Sequence, residues 1–582
     1  MILIVAACGC GKKKPLDDKS PTTGGTASAG SAAPAVPGTT EPVHTAEGGE
    51  VKELPIINDC PKSLAGSETV ARTIKKACGP ITITGEYDVD GSLTLEAGAV
   101  LKFQDGASLD VGYNKAAKLI VKGTAQDPVV MTSAGDAAPG AWHGVRLYNH
   151  ADRSSIDGLV IEHAGDDKGA LYVDGQDIAI KSSIIRDAKD VGLHLDRNAR
   201  LAELTGNTFE KAGQIAIKAY PAAVGAFGSN KFTDASAVVQ IEGGSVEEPA
   251  RWQNPGAPYV VIGEIDVDGK NGRATLEIAA GTELRFKDAE LDIGYSREAT
   301  LVLAGTADKP VVLTAEDKTP GAWHGVYVYG KGEIKIANAA ISFAGGGSND
   351  RGALYLDHAT ASVTGTSFKD NKRGVTIKAG STIKAFDHNQ LSASPEPAIS
   401  SVANAIGSLG AGNTLDKDAH IEVTEGRIER TQTWLPQGVA YEITSELSVD
   451  DKAMLTLAPG VELAFAGDQQ LSVGYSSDGT LKAAGTKDAP IKLRATRDDV
   501  PWKGVWLYGH ALGSELSNVQ ITGTGGDAGI VLDHGASAKI ADVTCTRCKN
   551  AALTSKCGAT FTATNVKAGA GTPTGELKPT CN

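Results

Sequence analysis

The sequence lacks features that are typical of several classes of protein. Aromatic residues are only 5% of its 582 residues and methionines number 3, so aliphatic and small side chains must build the core. The formal net charge of −14 disfavours nucleic acid as a partner, because phosphate binding needs a basic face. Beyond the first few residues, no apolar run approaches the ~20 residues of a membrane-spanning helix. The sequence also lacks a Ser-His-Asp order and a phosphate-cradling glycine loop, either of which would indicate an enzyme class.

One stretch recurs three times and divides the chain into repeats. It reads Gly-Ala-Trp-His-Gly-Val-Arg-Leu-Tyr at residues 140–148, and related sequences follow at 321–329 and 501–508. Its tryptophans lie roughly 180 residues apart, which predicts three copies of one unit. Pro- and Gly-rich segments at 252–259 and 434–441 open the second and third copies. The predicted divisions are a signal-peptide remnant at 1–7, a disordered tether at 8–55, and units one, two and three at 56–248, 249–428 and 429–582.

Each unit is built from apolar segments of a few residues separated by turn residues. Several segments alternate in polarity, which is the periodicity of strands and not of helices. The 70 glycines suit short strands and tight turns. A finer repeat of about 24 residues, the length of one solenoid coil, relates Ile161, Ile185 and Phe209. The sequence therefore predicts an all-β solenoid in which equivalent side chains of successive coils lie over one another.

A second repeated sequence, which precedes each of these tryptophans, indicates which family the chain resembles. It reads Gly-Thr-Ala-Gln-Asp-Pro-Val-Val-Met-Thr at residues 123–132 and has counterparts at 305–314 and 485–493. These phrases resemble the right-handed parallel β-helix repeat proteins of the bacterial envelope, which have the pectate-lyase-like fold. The resemblance covers about residues 80–570, and it implies a right-handed β-helix, in keeping with the usual hand of parallel crossovers. It implies little about activity, because a fold does not fix a function.

The N-terminus is typical of an exported, lipid-anchored chain. Residues 1–7 are apolar and end in small side chains, and the sequence Val-Ala-Ala-Cys that ends at Cys8 resembles the lipobox of bacterial lipoproteins. We therefore expect Cys8 to carry a lipid that makes the membrane a partner. Residues 11 to about 50 are rich in Gly, Ser, Thr, Ala and Pro, which predicts a flexible tether. The expected location is the outer membrane or the cell surface of a bacterium.

Six further cysteines lie near the two ends of the predicted solenoid. Cys60 and Cys78 flank Val70, Ile74 and Ala77, whose spacing predicts a short capping helix over the first coil. We also expect a disulfide between Cys60 and Cys78, because an exported chain folds in an oxidising compartment. A second group predicts a disulfide-bonded C-terminal cap of undecided pairing, with a four-cysteine zinc site as the alternative. This group is Cys545, Cys548, Cys557 and Cys581.

Three aspartates recur at the same place in each unit, directly after an apolar strand. They are Asp174, Asp357 and Asp533. A row of carboxylates on a β-helix face can bind Ca²⁺ or act on sugars. The alternative is an Asx turn that ends each strand, and threefold recurrence favours it, because a catalytic site normally occurs once.

The repeated tryptophans are the second set of candidate ligand-facing residues. Trp142, Trp323 and Trp502 would suit carbohydrate rings if they formed exposed rows, and core packing is the alternative. No catalytic residue and no cofactor is predicted apart from the Ca²⁺ alternative.

These features favour a non-enzymatic, lipid-anchored β-helical rod that binds polysaccharide or another envelope protein. The alternative function is a polysaccharide lyase or glycoside hydrolase with one active groove on the β-helix. A scaffold without a ligand is a third interpretation. Clustered Asp with Arg or Lys in one unit only would favour the enzyme.

Overall fold

The computed structural model describes residues 56–348 and 350–574. These residues belong to one compact unit, Leu54–Asn582, which is a parallel β-solenoid of about 21 turns. The all-β prediction is therefore confirmed. The predicted signal segment, the lipidation site Cys8 and the tether lie outside the described residues.

The described strands form five parallel sheets, each running along the solenoid. Three of them are short. The first contains Ile56–Ile57, Ala71–Ile74, Ser92–Glu96, Lys118–Lys122, Ser155–Asp157, Gln176–Lys181 and Arg200–Thr205. The second contains Ala250–Trp252, Ala274–Ala279, Ala299–Ala304, Gly332–Ala337, Thr360–Thr364 and Thr382–Asp387. The third contains Arg427–Ile428, Leu447–Val449, Leu471–Val473, Val505–Leu507, Ile530–Leu532 and Leu553–Ser555.

Two larger sheets carry the other strands. One contains Ser63–Glu68, Pro80–Val89, Val100–Phe103, Ser108–Val111, Val129–Ser133, Gly144–Leu147, Leu159–Glu162, Leu171–Val173, Ile184–Ala188, Val191–Leu195, Thr208–Ala212, Ile215–Ala219, Lys231–Phe232, Val239–Ile241, Tyr259–Val261, Glu283–Phe286, Val311–Ala315, Ala339–Ser342, Ser367–Lys369, Gln390–Leu391 and Thr414–Leu415. The other contains Gly244–Val246, Ile265–Val267, Glu290–Ile293, Gly325–Val328, Leu354–Leu356, Val375–Ile377, Ile399–Ser401, Ile421–Val423, Gln432–Trp434, Tyr441–Ile443, Ala453–Leu457, Glu462–Phe465, Gly479–Ala484, Ile491–Ala495, Ser514–Thr522, Ser537–Thr546 and Thr560–Ala568.

The core is a stack of aliphatic side chains that lie over one another from coil to coil. Leu276 pairs with Leu301 in the next coil, Leu301 with Ile334, and Ile334 with Ala361. All four are fully buried. Because side chains alternate between the two faces of a strand, the residues between them face outward. The alternation of apolar and polar residues in the sequence therefore determines which residues of each strand face the core and which face outward.

The strand ladders continue across both predicted borders between units. Val239 of unit one pairs with Tyr259 of unit two, and Ile421 of unit two pairs with Tyr441 of unit three. The three copies are thus stacked by the same coil-to-coil pairing that joins the coils within a copy. The exact residues at which one copy ends and the next begins stay a prediction.

The repeated tryptophans are core residues. Each has no exposed surface, stacks on a phenylalanine one coil earlier, and donates its indole N–H to a backbone carbonyl one coil later. The proposal that Trp142, Trp323 and Trp502 face a ligand is therefore wrong, and core packing is their role. The ring pairs are Phe103–Trp142, Phe286–Trp323 and Phe465–Trp502, with centroids 3.9, 4.2 and 4.2 Å apart.

The predicted N-terminal capping helix is also wrong. The chain there forms the strands Ser63–Glu68 and Ala71–Ile74, followed by the single 3₁₀ turn Lys76–Cys78. Burial alternates along Ala71–Ile74, and this strand pairs in parallel with Ser92–Glu96. Tertiary pairing with the next coil therefore overrides the helical spacing of the apolar residues.

Helices are short and rare in the described part of the chain. One α-helix spans Ala403–Ile406, and a second 3₁₀ segment spans Pro221–Ala226. None of the helices described has the length and apolar content needed to cross a bilayer.

The cysteines close the two ends of the described chain. Cys60 is bonded to Cys78, as predicted. Cys545 is bonded to Cys548, and both side chains are fully buried in the last coils. Cys557 is also disulfide-bonded, whereas Cys581 lies outside the described residues. Zinc binds thiolates, and Cys545, Cys548 and Cys557 are all oxidised in this structure.

Replacing Trp323 by Ala should lower the free energy of unfolding by about 3–5 kcal/mol, because a large buried ring leaves a cavity. The Tyr295→Ala variant in the same unit is the control. Tyr295 is 68% exposed, so its loss should change the free energy by less than about 0.5 kcal/mol. Urea unfolding followed by circular dichroism measures both, and equal effects would contradict the core assignment.

Candidate functional site

One outward-facing row of side chains runs along each unit, on the strands that contain the repeated Trp-x-Gly-Val stretch and on the strands paired with them. We call it the outward row. In unit one it is Asp88, Asp110, Arg146, Tyr172, His194 and Lys218. In unit two it is Asp266, Asp292, Tyr327, Tyr355, Thr376 and Ser400. In unit three it is Ser448, Ser472, Trp506, Val531 and Thr554.

An exposed tyrosine stands at the edge of this row in every unit. Tyr113, Tyr295 and Tyr475 have 59%, 68% and 67% of their surface exposed, far more than most large apolar side chains of the described chain. Each meets the edge of a tyrosine from the next coil. These pairs, which we call the aromatic platforms, are Tyr113–Tyr148, Tyr295–Tyr329 and Tyr475–Tyr508, with centroids 5.0, 5.0 and 4.8 Å apart.

A glycine directly before each exposed tyrosine allows that tyrosine to project into solvent. Gly112, Gly294 and Gly474 end their strands with φ of 71°, 69° and 66°, a conformation that other residues rarely adopt. A Cβ at any of the three would overlap the backbone of the next coil. The chain therefore turns out of the sheet at a position that only glycine fits, and the tyrosine that follows extends into solvent.

A cation lies over the rings of each platform or of its neighbours. Lys168 Nζ is 4.8 Å from the ring centre of Tyr148 and 4.9 Å from that of Tyr172. In unit two, Arg351 stands over Tyr327, Tyr355 and Tyr329 at 4.7, 5.5 and 6.0 Å. In unit three, Lys556 is 6.0 Å from the ring of Trp506. These cations are attracted by the ring faces, and they place charge beside the aromatic surface.

Units one and two each contain a triad of carboxylates beside the platform. Within each triad one carboxylate oxygen of every member lies within 4.8 Å of those of the others. The triads are Glu86, Asp88 and Asp110, and Glu264, Glu290 and Asp292. Three converging carboxylates are a suitable oxygen ligand set for Ca²⁺. These are therefore the described residues that could hold a divalent cation.

Each triad has one almost fully buried aspartate. Asp110 is 2% exposed and Asp292 is 7% exposed, and burial raises the pKa of each carboxyl to about 7. Arg146, 3.9 Å from Asp110, partly offsets this effect on the pKa of Asp110. For Asp292 the neighbouring carboxylates raise the pKa further. Its Oδ1 has no hydrogen-bond partner, and no ion pair to it is found among the described residues, so the carboxylate fits a cation site.

The three recurrent aspartates of the sequence are placed differently. The backbone N–H groups of Asp174, Asp357 and Asp533 donate to the strand-end carbonyls of the preceding coil. Their side chains are half-buried, and two of them have local partners, His358 at 2.7 Å and Lys556 at 3.3 Å. Each lies in its own unit, and no contact joins them in the described chain. The structure thus places them at strand ends, as the turn interpretation expects, and a ligand role for them stays a prediction.

The structure also locates functional candidates that sequence reasoning missed. Neither the exposed tyrosines nor the acidic triads were expected. The three repeats of Val/Ile-Gly-Tyr at residues 111–113, 293–295 and 473–475 are the signal that would have found the tyrosines. No local signal marks Asp292 as buried, because its burial depends on the next coil.

The Asp292→Asn variant should be more stable than the unaltered chain at pH 8 when a chelator is present. A carboxyl whose pKa is raised on folding destabilises the fold progressively as pH rises from about 4 to about 7, because it is easier to ionise in the unfolded chain. We expect a gain of about 2–4 kcal/mol at pH 8 and no gain near pH 4. Thermal unfolding at both pH values measures it, with exposed Asp308→Asn as the control.

Addition of Ca²⁺ tests the cation site in the same assay. It should raise the unfolding temperature of the unaltered chain and leave that of Asp292→Asn unchanged, because a ligand stabilises only the state that binds it. For the preceding prediction, an equal gain in the stability of Asp292→Asn at pH 8 and at pH 4 would contradict the raised pKa of Asp292. An equal Ca²⁺ effect on both proteins would contradict the site.

Comparison with known proteins supports the fold at family level. Residues 76–186 and 245–351 match the family model of the pectate-lyase like beta helix domain. Each matched segment contains one acidic triad. No curated protein and no solved structure matches the chain. The resemblance inferred from the sequence is confirmed: the chain carries pectate-lyase-like β-helix domains within a parallel β-solenoid.

Proposed function

We propose that this chain is a polysaccharide-binding β-helix held at the bacterial outer membrane or cell surface by a lipid on Cys8. A pectate-lyase-like β-helix domain fits a polysaccharide-related role. The observation that supports binding most directly is the aromatic platform, which recurs in all three units with the same exposed tyrosine and the same ring geometry.

The chemistry of the platforms suits sugars. A sugar ring has an apolar C–H face and polar edges, and tyrosine likewise combines an apolar ring with a polar hydroxyl. The exposed ring of Tyr295 is supported from one side by Tyr329, so stacking on it requires little ordering. Some polar side chains of the outward row are partly exposed, such as Lys218, Asp266 and Thr554, and these can bond the hydroxyl groups of a sugar.

Three platforms on one solenoid favour an extended ligand. Because the units are joined by continuous strand pairing, the platforms keep fixed positions relative to one another within Leu54–Asn582. A polymer that contacts one platform is then presented to the next at a high effective concentration. Weak individual contacts would add up to firm retention of a long chain, whereas a short oligosaccharide would bind weakly.

A second candidate is a polysaccharide lyase or hydrolase. It is favoured by the buried Asp110 beside Arg146 and by the unpartnered Asp292, since acidic and basic groups together suit acid–base chemistry on a sugar. A cation bound by the triad would supply positive charge next to a sugar carboxylate. Such clusters occur in two units, and a single active groove would need only one. We therefore rank binding above catalysis.

Binding is tested with the chain from residue 51 onward on columns of acidic and neutral polysaccharides, with product size followed in the same samples. The triple Tyr113→Ala, Tyr295→Ala, Tyr475→Ala variant should lose affinity by roughly a hundredfold, and single variants should lose less, because avidity depends on several contacts. Tyr220→Ala, a partly exposed tyrosine outside the platforms, is the matched control. Full retention of the triple variant would contradict the proposal, and shortened products would favour the enzyme.

The anchor is tested separately in the full chain expressed with an export signal. We expect Cys8→Ser to move the protein from the membrane fraction to the soluble fraction, because the lipid is then missing. Cys10→Ser is the matched control and should stay with the membrane. Membrane association of Cys8→Ser equal to that of the control would contradict lipidation at Cys8.

A further inference from the structure

The outward row of unit three differs from the other two rows in charge. Its five positions contain no ionisable side chain, and Arg427 pairs with Ser448 one coil earlier, whereas the rows of units one and two each begin with two aspartates in successive coils. Ser448 and Ser472 occupy those two positions in unit three, and Trp506 follows them. The acidic triad therefore has no counterpart among the described residues of unit three, and Trp506 stands where unit one has Arg146 and unit two has Tyr327.

Trp506 enlarges the platform of its unit. Its ring centre is 5.8 Å from that of Tyr508 at an interplanar angle of 24°, and Tyr475 meets Tyr508 at 4.8 Å. Trp506 and Tyr508 are partly exposed and Tyr475 is 67% exposed. Three adjoining rings thus form an aromatic surface broader than a single tyrosine pair provides.

The polar groups beside these rings are the neutral Gln470 and Ser472 and three charged groups that each have a partner. Gln470 Nε2 donates to Tyr508 Oη at 3.3 Å, to Ser472 Oγ at 2.7 Å and to Glu446 Oε1 at 2.8 Å. The remaining acid, Glu446, is thereby held by neutral donors. Lys556 near Trp506 is paired with Asp533 at 3.3 Å, so these two charges offset each other.

We infer that unit three binds an uncharged saccharide on Trp506, Tyr508 and Tyr475, with Gln470 as the hydrogen-bonding partner at its edge. The inference rests on the proposed function and names the ligand class of one of its three platforms. An acidic sugar would place its carboxylate near Glu446, and like charges brought together disfavour binding. A neutral sugar meets no such repulsion and can stack on three adjoining rings.

Trp506 reports directly on this site. The sequence has 6 tryptophans, and the other five, Trp142, Trp252, Trp323, Trp434 and Trp502, have no exposed surface. Quenching of tryptophan fluorescence by acrylamide should therefore come mostly from Trp506. A sugar stacked on Trp506 should protect it, and sugars bound at the other two platforms should not.

The probes are three neutral hexasaccharides (cellohexaose, maltohexaose and N-acetylchitohexaose) and the acidic hexagalacturonate. At least one neutral probe should protect Trp506 and bind about tenfold or more tightly than hexagalacturonate. Calorimetry should show about a tenfold loss of that affinity in Trp506→Ala and a smaller loss in Trp506→Phe, which keeps a ring. Ser472→Asp, which introduces the charge that unit two has at this position, should also weaken neutral binding, whereas Tyr220→Ala, outside the platforms, should leave it unchanged.

Three results would overturn the inference. The first is protection of Trp506 by hexagalacturonate as strong as that by every neutral probe. The second is acidic binding that disappears in Lys503→Ala, because the exposed Lys503 would then recruit an anionic ligand. The third is no protection by any probe. If polysaccharide retention through Tyr113 and Tyr295 survives, only this inference fails, and if that retention is absent as well, the proposed function fails with it.

Discussion

Parallel pairing of each strand with its equivalent one coil earlier is the constraint on which the rest of this structure depends. It places Leu301 over Leu276 in the core and, by the same register, Asp292 over Asp266 on the outside. A shift of one residue would exchange the two faces of a strand. The buried tryptophan and phenylalanine stacks strengthen this register from within, and the aromatic platforms are its consequence on the surface.

Sequence reasoning succeeded where the signal repeats along the chain. The coil period follows from spacing and reflects contacts between equivalent residues of successive coils. The Cys60–Cys78 bond follows from the expected oxidising compartment and is present, and the borders of the three units stay a prediction. It failed at Val70 and Ile74, because helical spacing within a few residues cannot reveal pairing with the strand Ser92–Glu96. At Trp323 it left core packing and an exposed row open, and the burial of the ring decides for core packing.

Differences in burial also explain why sequence reasoning missed some of the site residues. Asp292 lies on the strand Glu290–Ile293 and is 7% exposed, whereas Asp308 lies between two strands and is exposed. Tyr295 projects because Gly294 turns the chain out of the sheet. One backbone pattern repeats at the platforms of all three units, while the outward row differs: two aspartates begin it in units one and two, and serines stand at those positions in unit three.

Hydroxyl-radical footprinting read by mass spectrometry would test the central claim most directly, since it measures which side chains a bound polysaccharide covers. Without ligand, Tyr113, Tyr295 and Tyr475 should be among the most rapidly oxidised aromatic residues, and the five buried tryptophans should be oxidised slowly. With a retained polysaccharide, the account predicts that the three tyrosines are protected together. Protection confined to one unit, or protection elsewhere with the tyrosines unchanged, would contradict it.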